Sequence, residues 1–254
     1  MKILKYENNK YEILLQKHLF IKDKSTNTYY RNSISSIDEN TLNEFSEYKE
    51  KIPFILFLAY IIFNTLMIII NYFYVLHLHK QVTPEFSKDT LIIVIFYFIT
   101  NIFFHELGHI YSLKFFGKSW DKCGVKLNFY VFPAFYVQLN ETYMLSRRDK
   151  ILVHSFGLFV NYTFINILQI INLLFFQNYN LTLSFMLFSS TLIWNLIPML
   201  NSDGYKLMLA CLSLDEFHNF TKNHWLVLLV QGIGIIIAVN TLIHWLFYWG
   251  NHIF

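Results

Sequence analysis

His105-Glu106-Leu107-Gly108-His109 lies inside a largely apolar run that extends from Leu91 to Phe116. The stretch has the pattern H-E-x-x-H. Because residues i and i+4 lie on the same face of a helix, the two imidazoles are able to hold one metal ion, and Glu106 is placed to activate a water beside it. A pattern this short also arises by chance in a chain of 254 residues, so the surrounding sequence decides what it means.

Long apolar runs indicate a membrane protein. The chain is 55% hydrophobic, and several runs exceed about 18 residues with almost no charge, the length at which a helix crosses a bilayer. The predicted fold class is an all-α polytopic membrane protein, with a lipid bilayer as its surroundings. Five transmembrane helices are expected, at residues 52–76, 90–116, 150–176, 181–200 and 225–249.

A polar segment, residues 1–51, precedes the membrane domain of residues 52–254. We expect no secretory signal peptide, because this segment lacks an apolar core. It is predicted to be a small cytosolic strand-and-helix segment. Its predicted elements are strands at Tyr11–Leu15, His18–Asp23 and Thr28–Asn32, and a helix from Ser36 to Lys51.

The positions of the basic residues predict the orientation of the chain. Of the 20 Lys and Arg residues, 18 lie in residues 1–52, 114–150 and 201–222. The positive-inside rule places these segments, and therefore the N-terminus, in the cytoplasm, with the C-terminus outside. The net charge of +3 is too small to indicate a nucleic-acid partner. Two cysteines, Cys123 and Cys211, are too few for a disulfide framework, and we predict that they are unpaired.

The loop between the second and third helices has an aromatic and β-branched centre, residues 127–139. This centre is too short to cross the bilayer as a helix, and it predicts a hairpin in or near the membrane that turns at Pro133. A strand edge in lipid needs a covering partner. The hairpin is therefore either a platform for an extended peptide that adds as a strand, or an aromatic loop at the membrane interface. The platform residues would be Phe132, Pro133, Phe135 and Tyr136.

A catalytic zinc needs three protein ligands and one open position. His105 and His109 supply two ligands, and the third is a carboxylate in either Glu141 or Asp203. Asp203 follows the fourth helix and, counted along a straight helix, lies beyond the depth of His109. Unwinding after Asn195, together with helix tilt, would close that gap, and Pro198 is placed to open the helix.

Three motifs, in order, resemble those of the site-2 protease family of membrane metalloproteases. That family pairs an H-E-x-x-H helix with a later helix that ends in N-x-x-P before a D-G segment, and Asn195, Pro198 and Asp203-Gly204 have this spacing. Ser202 stands where the family usually has leucine. Between these motifs, the basic stretch at 147–150 and the residues Gly157 and Asn161 resemble a G-P-x-x-N helix in which Leu158 replaces the proline.

The resemblance covers residues 90–210 and is closest to the bacterial peptide zinc metalloproteases, a branch linked to peptide maturation. In that branch a P-x-F-Y segment follows the motif helix, as residues 133–136 do here. The resemblance implies a bacterial integral membrane zinc endopeptidase that cuts a membrane-associated or exported peptide, with a peptide or membrane-protein substrate and a peptide exporter as partners. It implies these roles: Zn²⁺ on His105, His109 and Asp203; Glu106 as general base; and Asn161 and Asn195 on the oxyanion or substrate.

Two other classes of function stay open. One is a non-catalytic metal-binding membrane protein that acts in peptide export or immunity. The other is a leader-peptide binding subunit, because residues 1–51 weakly resemble the module that recognises leader peptides in peptide-maturation enzymes. Asn161 and Asn195 are equally explained as hydrogen-bonding residues between neighbouring membrane helices.

Overall fold

The computed structural model of the protein describes residues 3–34, 37, 42–85, 87–128, 132–199, 202–216 and 220–253. The fold is mainly helical, with a small sheet at the N-terminus. This confirms the helical fold class and the N-terminal strands that the sequence predicts. Its helices are α1 (Phe54–Gln81), α2 (Lys88–Phe115), α3 (Arg147–Ile171), α4 (Tyr179–Leu196), α5 (Asp203–Leu212) and α6 (Trp225–Ile253).

Three helices have the length and composition to cross a membrane: α1, α2, and α3 with the π-helical turn that continues it to Phe176. Large apolar side chains on α1 point away from the protein, and Ile55 is 78% exposed. Such a surface suits a lipid environment, where apolar side chains need no protein cover. Helix α4 has 18 residues, and the described apolar stretch of α6 covers Trp225–Ile237. Five crossings therefore stay a prediction.

The helix ends differ from the predicted bounds. Helix α1 continues to Gln81 instead of ending at residue 76, because the polar residues after the apolar run still form helical hydrogen bonds. Helix α3 begins at Arg147, where the Ser146 side chain accepts a hydrogen bond from the Asp149 backbone. Helix α4 ends at Leu196 instead of residue 200, since Pro198 disfavours a helical residue before it.

The N-terminal segment is a five-stranded antiparallel sheet with the strand order β4-β3-β2-β1-β5. Strands β2 to β4 confirm the sequence prediction. Leu14 and Phe20 are buried on one face of this sheet and pack with Met144 of the membrane domain. The strands are β1 (Leu4–Glu7), β2 (Tyr11–Leu15), β3 (Leu19–Asp23), β4 (Thr28–Asn32) and β5 (Ser46–Glu47).

The predicted helix from Ser36 to Lys51 is wrong over its second half. Ser46 and Glu47 form β5 instead, and they pair with Lys5 and Leu4 of β1. The capping pattern at Ser36 is a local signal, and the open edge of β1 competes with it by offering main-chain hydrogen bonds to the later residues. Ser36 itself lies outside the described residues.

Ion pairs dock the sheet onto one end of the helical bundle. Lys118, just after α2, pairs with Glu12 of β2, and Lys22 of β3 pairs with Glu141 of the 3₁₀ helix Asn140–Met144. Arg31 of β4 lies 3.2 Å from Asp215, which follows α5. The sheet, the α2–α3 connection and the segment around α5 therefore lie at the same end, as the basic residues predict.

The predicted hairpin is present between α2 and α3. Strands β6 (Lys122–Asn128) and β7 (Phe132–Gln138) pair antiparallel. The predicted turn at Pro133 is wrong, because Pro133 lies within β7 opposite Leu127. Proline is tolerated in a strand where its missing N–H breaks no ladder bond, as at the edge of a two-stranded ribbon.

Candidate metal centre

Two glycines allow α2 and α3 to approach closely at the motif. A Cβ atom on Gly157 of α3 would lie 2.4 Å from His109 Nε2, and a Cβ atom on Gly108 of α2 would lie 3.0 Å from Val160 Cγ2. Both separations are below van der Waals contact. The backbone of α3 therefore lies directly against the imidazoles, and only glycine fits at position 157.

A tight reversal after α4 brings Asp203 back to the motif. Asn195 Nδ2 donates to Asp203 Oδ2 at 3.0 Å, and the Asp203 backbone N–H donates to Asn195 Oδ1 at 3.2 Å. A Cβ atom on Gly204 would lie 2.1 Å from the Leu196 carbonyl oxygen, so glycine is required here as well. The helix ends before Pro198, which confirms the expected unwinding.

His105, His109 and Asp203 form the cluster of potential metal ligands found among the described residues. Asp203 Oδ2 lies 2.7 Å from His105 Nε2, Asp203 Oδ1 lies 3.4 Å from His109 Nε2, and the two Nε2 atoms are 3.2 Å apart. All three side chains are buried. Glu141, the other candidate for the third ligand, is instead bonded to Lys22 and Ser119 at the docked sheet.

The cluster fits a zinc ion. Zinc–ligand distances of about 2.0–2.1 Å in a tetrahedron separate neighbouring ligand atoms by about 3.3 Å. The three observed separations, between 2.7 and 3.4 Å, lie close to that value. Two histidines and a carboxylate, with a fourth position left open, are a donor set of catalytic zinc sites. Burial of these groups in an apolar bundle is costly, and a shared cation would offset part of that cost.

One curated relative decides the family. The chain is 58% identical over 249 residues, 98% of its own length and 99% of the relative's, to a protein of Bacillus subtilis (strain 168) named "Putative peptide zinc metalloprotease protein YydH". The chain belongs to the peptide zinc metalloprotease family. This confirms the predicted resemblance to the bacterial peptide zinc metalloproteases. No protein-family model matches the chain, and no solved structure matches it.

In this member of the peptide zinc metalloprotease family, a backbone carbonyl orients the second histidine. His109 Nδ1 lies 2.8 Å from the carbonyl oxygen of Val153 on α3. A carbonyl only accepts hydrogen bonds, so Nδ1 carries the proton and Nε2 keeps its lone pair for a metal.

Asn161 has the corresponding position beside His105. Its Nδ2 atom lies 3.0 Å from His105 Nδ1, while its buried Oδ1 atom has no hydrogen-bond partner among the described residues. A half-turn of the amide would point Oδ1 at Nδ1, satisfy that oxygen and leave His105 Nε2 free to bind a metal. Asn161 and Asn195 thus each contact a ligand, and their predicted contact with substrate stays a prediction.

Glu106 differs from the three ligands in its surroundings. It is half-buried, and none of the described residues forms a hydrogen bond or ion pair with its carboxylate. A general base needs such a free carboxylate, because its partner is the reacting water. Of the predicted strand platform, Phe135 is 53% exposed and Tyr136 is partly buried on β7, whereas the side chains of Phe132 and Pro133 lie outside the described ones.

Sequence reasoning missed two contributors to the site. The Val153 carbonyl is a backbone group, and residue types carry no signal for it. Lys206 Nζ lies 3.9 Å from Asp203 Oδ1. The spacing of three residues on one helix could have indicated Lys206, because residues i and i+3 are neighbours on a helix surface.

Proposed function

We propose that this protein is a zinc-dependent endopeptidase of the site-2 protease type. The observation that carries the proposal is the buried cluster of His105, His109 and Asp203. The two histidines and Glu106 lie on α2, a helix apolar enough to cross a membrane. The name of the Bacillus relative supports a metalloprotease.

The chain's own residues supply most of the proposed chemistry. Zinc bound at this site would act as a Lewis acid towards the peptide carbonyl and lower the pKa of water. His105, His109 and Asp203 hold the ion, and Asn195 fixes the carboxylate by two hydrogen bonds. Glu106 takes a proton from the attacking water and then delivers it to the leaving amine.

Cleavage within or beside the bilayer is part of the proposal. His105 lies about 26 Å along α2 from Lys88, in a helix about 42 Å long, so the site is well inside this helix. We propose five crossings, a cytoplasmic N-terminus, an outside C-terminus and location in a bacterial cell membrane. The substrate would be a membrane-associated or exported peptide, for which β7 is the proposed strand platform.

Glu106→Gln tests this proposal. The variant is expected to keep its zinc, because Glu106 is not a ligand, and to lose peptide cleavage by about 10²–10⁴-fold, the usual contribution of a general base. Zinc is measured by metal analysis, and cleavage by mass spectrometry of small peptides in cells that carry the wild type or the variant. Unchanged processing by the variant would refute the protease proposal. It would favour the alternative, a metal-binding protein without catalysis in peptide export or immunity.

A further inference from the structure

A cavity of about 390 Å³ adjoins the metal centre. Two residues of the cavity wall lie next to the metal centre. Lys206 Nζ lies 3.9 Å from Asp203 Oδ1, and His154 follows Val153, whose carbonyl oxygen contacts His109. The remaining walls come from the β2–β3 turn, the end of β7, the 3₁₀ helix and α5. The volume is within the range of about 300–1,000 Å³ for ligand pockets, and it accommodates a short stretch of peptide.

The charged side chains in the wall of this cavity are mostly basic. Among the described residues, two acidic side chains line it, and both have partners: Asp215 lies 3.2 Å from Arg31, and Glu216 Oε1 accepts a hydrogen bond of 2.7 Å from Gln231. Four lysine and arginine side chains and two carboxylates line the cavity, so the net charge of its wall is positive. The lysine and arginine residues in the wall are Lys17, Arg147, Lys150 and Lys206.

Lys150 is a partly buried basic residue of the wall that faces aromatic rings. Its ammonium lies 4.8 Å from the centre of the Phe20 ring and 5.9 Å from that of Tyr143. No carboxylate among the described residues comes within 4 Å of it. Aromatic faces stabilise a cation only partly, and an ammonium removed from water favours an anionic partner. A carboxylate brought by a ligand would complete this site.

We propose that the cavity binds a substrate segment that carries an acidic side chain, with Lys150 as the partner of its carboxylate. The turn of the N-terminal sheet forms one wall, so the sheet takes part in substrate selection. This inference rests on the proposed endopeptidase function and specifies its substrate class. An ammonium–carboxylate hydrogen bond is among the stronger ones in proteins and gives selectivity over a neutral amide.

The test compares glutamate with glutamine in otherwise identical peptides. The full-length protein in detergent, loaded with zinc, is given a synthetic peptide library in which each position is varied among Glu, Gln, Lys and Ala, and the products are sequenced by mass spectrometry. Cleavage is expected to require Glu at a fixed distance from the cut, about tenfold over Gln. In parallel, fluorescence anisotropy measures binding of the preferred Glu peptide and its Gln counterpart to the Glu106→Gln protein.

Lys150→Met removes the charge but keeps a long side chain against Phe20 and Tyr143, and it is expected to reduce the Glu-over-Gln preference below about twofold. Lys150→Arg is expected to retain the preference. The matched control is Lys88→Met, because Lys88 is exposed and lies at the start of α2, the end of that helix away from the metal centre. The zinc content of each variant is measured to check that it is folded.

The two readouts distinguish the two proposals. Cleavage without an acidic preference, or a preference that survives Lys150→Met, would overturn this inference and leave the endopeptidase proposal intact. Binding with an acidic preference that depends on Lys150, but no cleavage by the wild type, would support this inference and overturn the endopeptidase. If Lys150→Met loses its zinc, the inference is tested by two other results: the preference of the wild type for Glu over Gln peptides, and the retention of that preference in Lys150→Arg.

Discussion

Replacing Gly157 with alanine tests the contact between α3 and the two imidazoles. A Cβ atom at this position would lie 2.4 Å from His109 Nε2 and 2.9 Å from His105 Cε1. Non-bonded heavy atoms pack at about 3.5 Å or more, so the His109 ring would have to move by about 1 Å. Val153 and Asn161 contact the outer nitrogens of the two rings, and a moving ring would lose that contact.

The expected magnitude follows from the narrow tolerance of a zinc site. Ligand distances vary by only about 0.2 Å in such sites, so a shift of about 1 Å removes His109 as a ligand or forces α3 away from α2. Overpacking of this kind costs about 1–3 kcal/mol. That free energy corresponds to a loss of about 5- to 150-fold in zinc affinity.

The assay is a competition titration of zinc against a fluorescent chelator, on the full-length protein in detergent. Gly232→Ala in α6 is the matched control, because a Cβ atom there meets no atom within 4 Å. Thermal unfolding of both variants, followed by circular dichroism, separates a loss of zinc from a loss of fold. Wild-type zinc affinity in Gly157→Ala would refute the reasoning, since the α3 backbone could not then lie against the imidazoles.

Two further predictions concern carboxylates. Loss of an outer hydrogen-bond partner lowers metal affinity by roughly 10–100-fold, and Asp203→Ala is expected to lower zinc affinity by more than this. Glu141→Gln is expected to keep the wild-type zinc affinity. Equal losses of zinc affinity in the two variants, measured by the same titration, would contradict Asp203 as the third ligand. Burial alone would raise the pKa of Glu141, but hydrogen bonds from Lys22 and Ser119 outweigh burial and lower it below the usual 4.5. The carboxylate therefore stabilises the docked sheet fully above about pH 4.5 and loses this effect as the pH falls through the lowered pKa. As the pH falls through the pKa of Glu141, amide hydrogen exchange in β3 is expected to accelerate in the wild type and to accelerate much less in Glu141→Gln. The same acceleration in both proteins would show that another group causes the effect.

The grouping of His105, His109 and Asp203 could be predicted from the sequence because each part of it obeys a local rule. His105 and His109 share a face through the periodicity of one helix. Pro198 determines where the later helix must end. Asn195 and Asp203 lie on either side of that break, so the reversal that joins them involves few residues.

Contacts between distant segments could not be predicted in this way. The approach of α2 to α3 depends on Gly108 facing Gly157, and neither helix shows this pairing by itself. Strand β5 forms because β1 has an open edge, which the local capping pattern at Ser36 does not reveal. Hydropathy identifies an apolar run but not the end of a helix, so it did not predict that α1 continues to Gln81.

The three ligands are spread unequally along the chain, and their order affects when the site can form. His105 and His109 lie on one helix, whereas Asp203 comes 94 residues after His109. Synthesis proceeds from the N-terminus, so a growing chain carries only two of the three ligands until α4 is complete and the chain has reversed after it. A copy that ends before Asp203 therefore lacks the complete cluster. Synthesis of the segment that follows α4 is thus the step that brings the three candidate metal ligands into one chain.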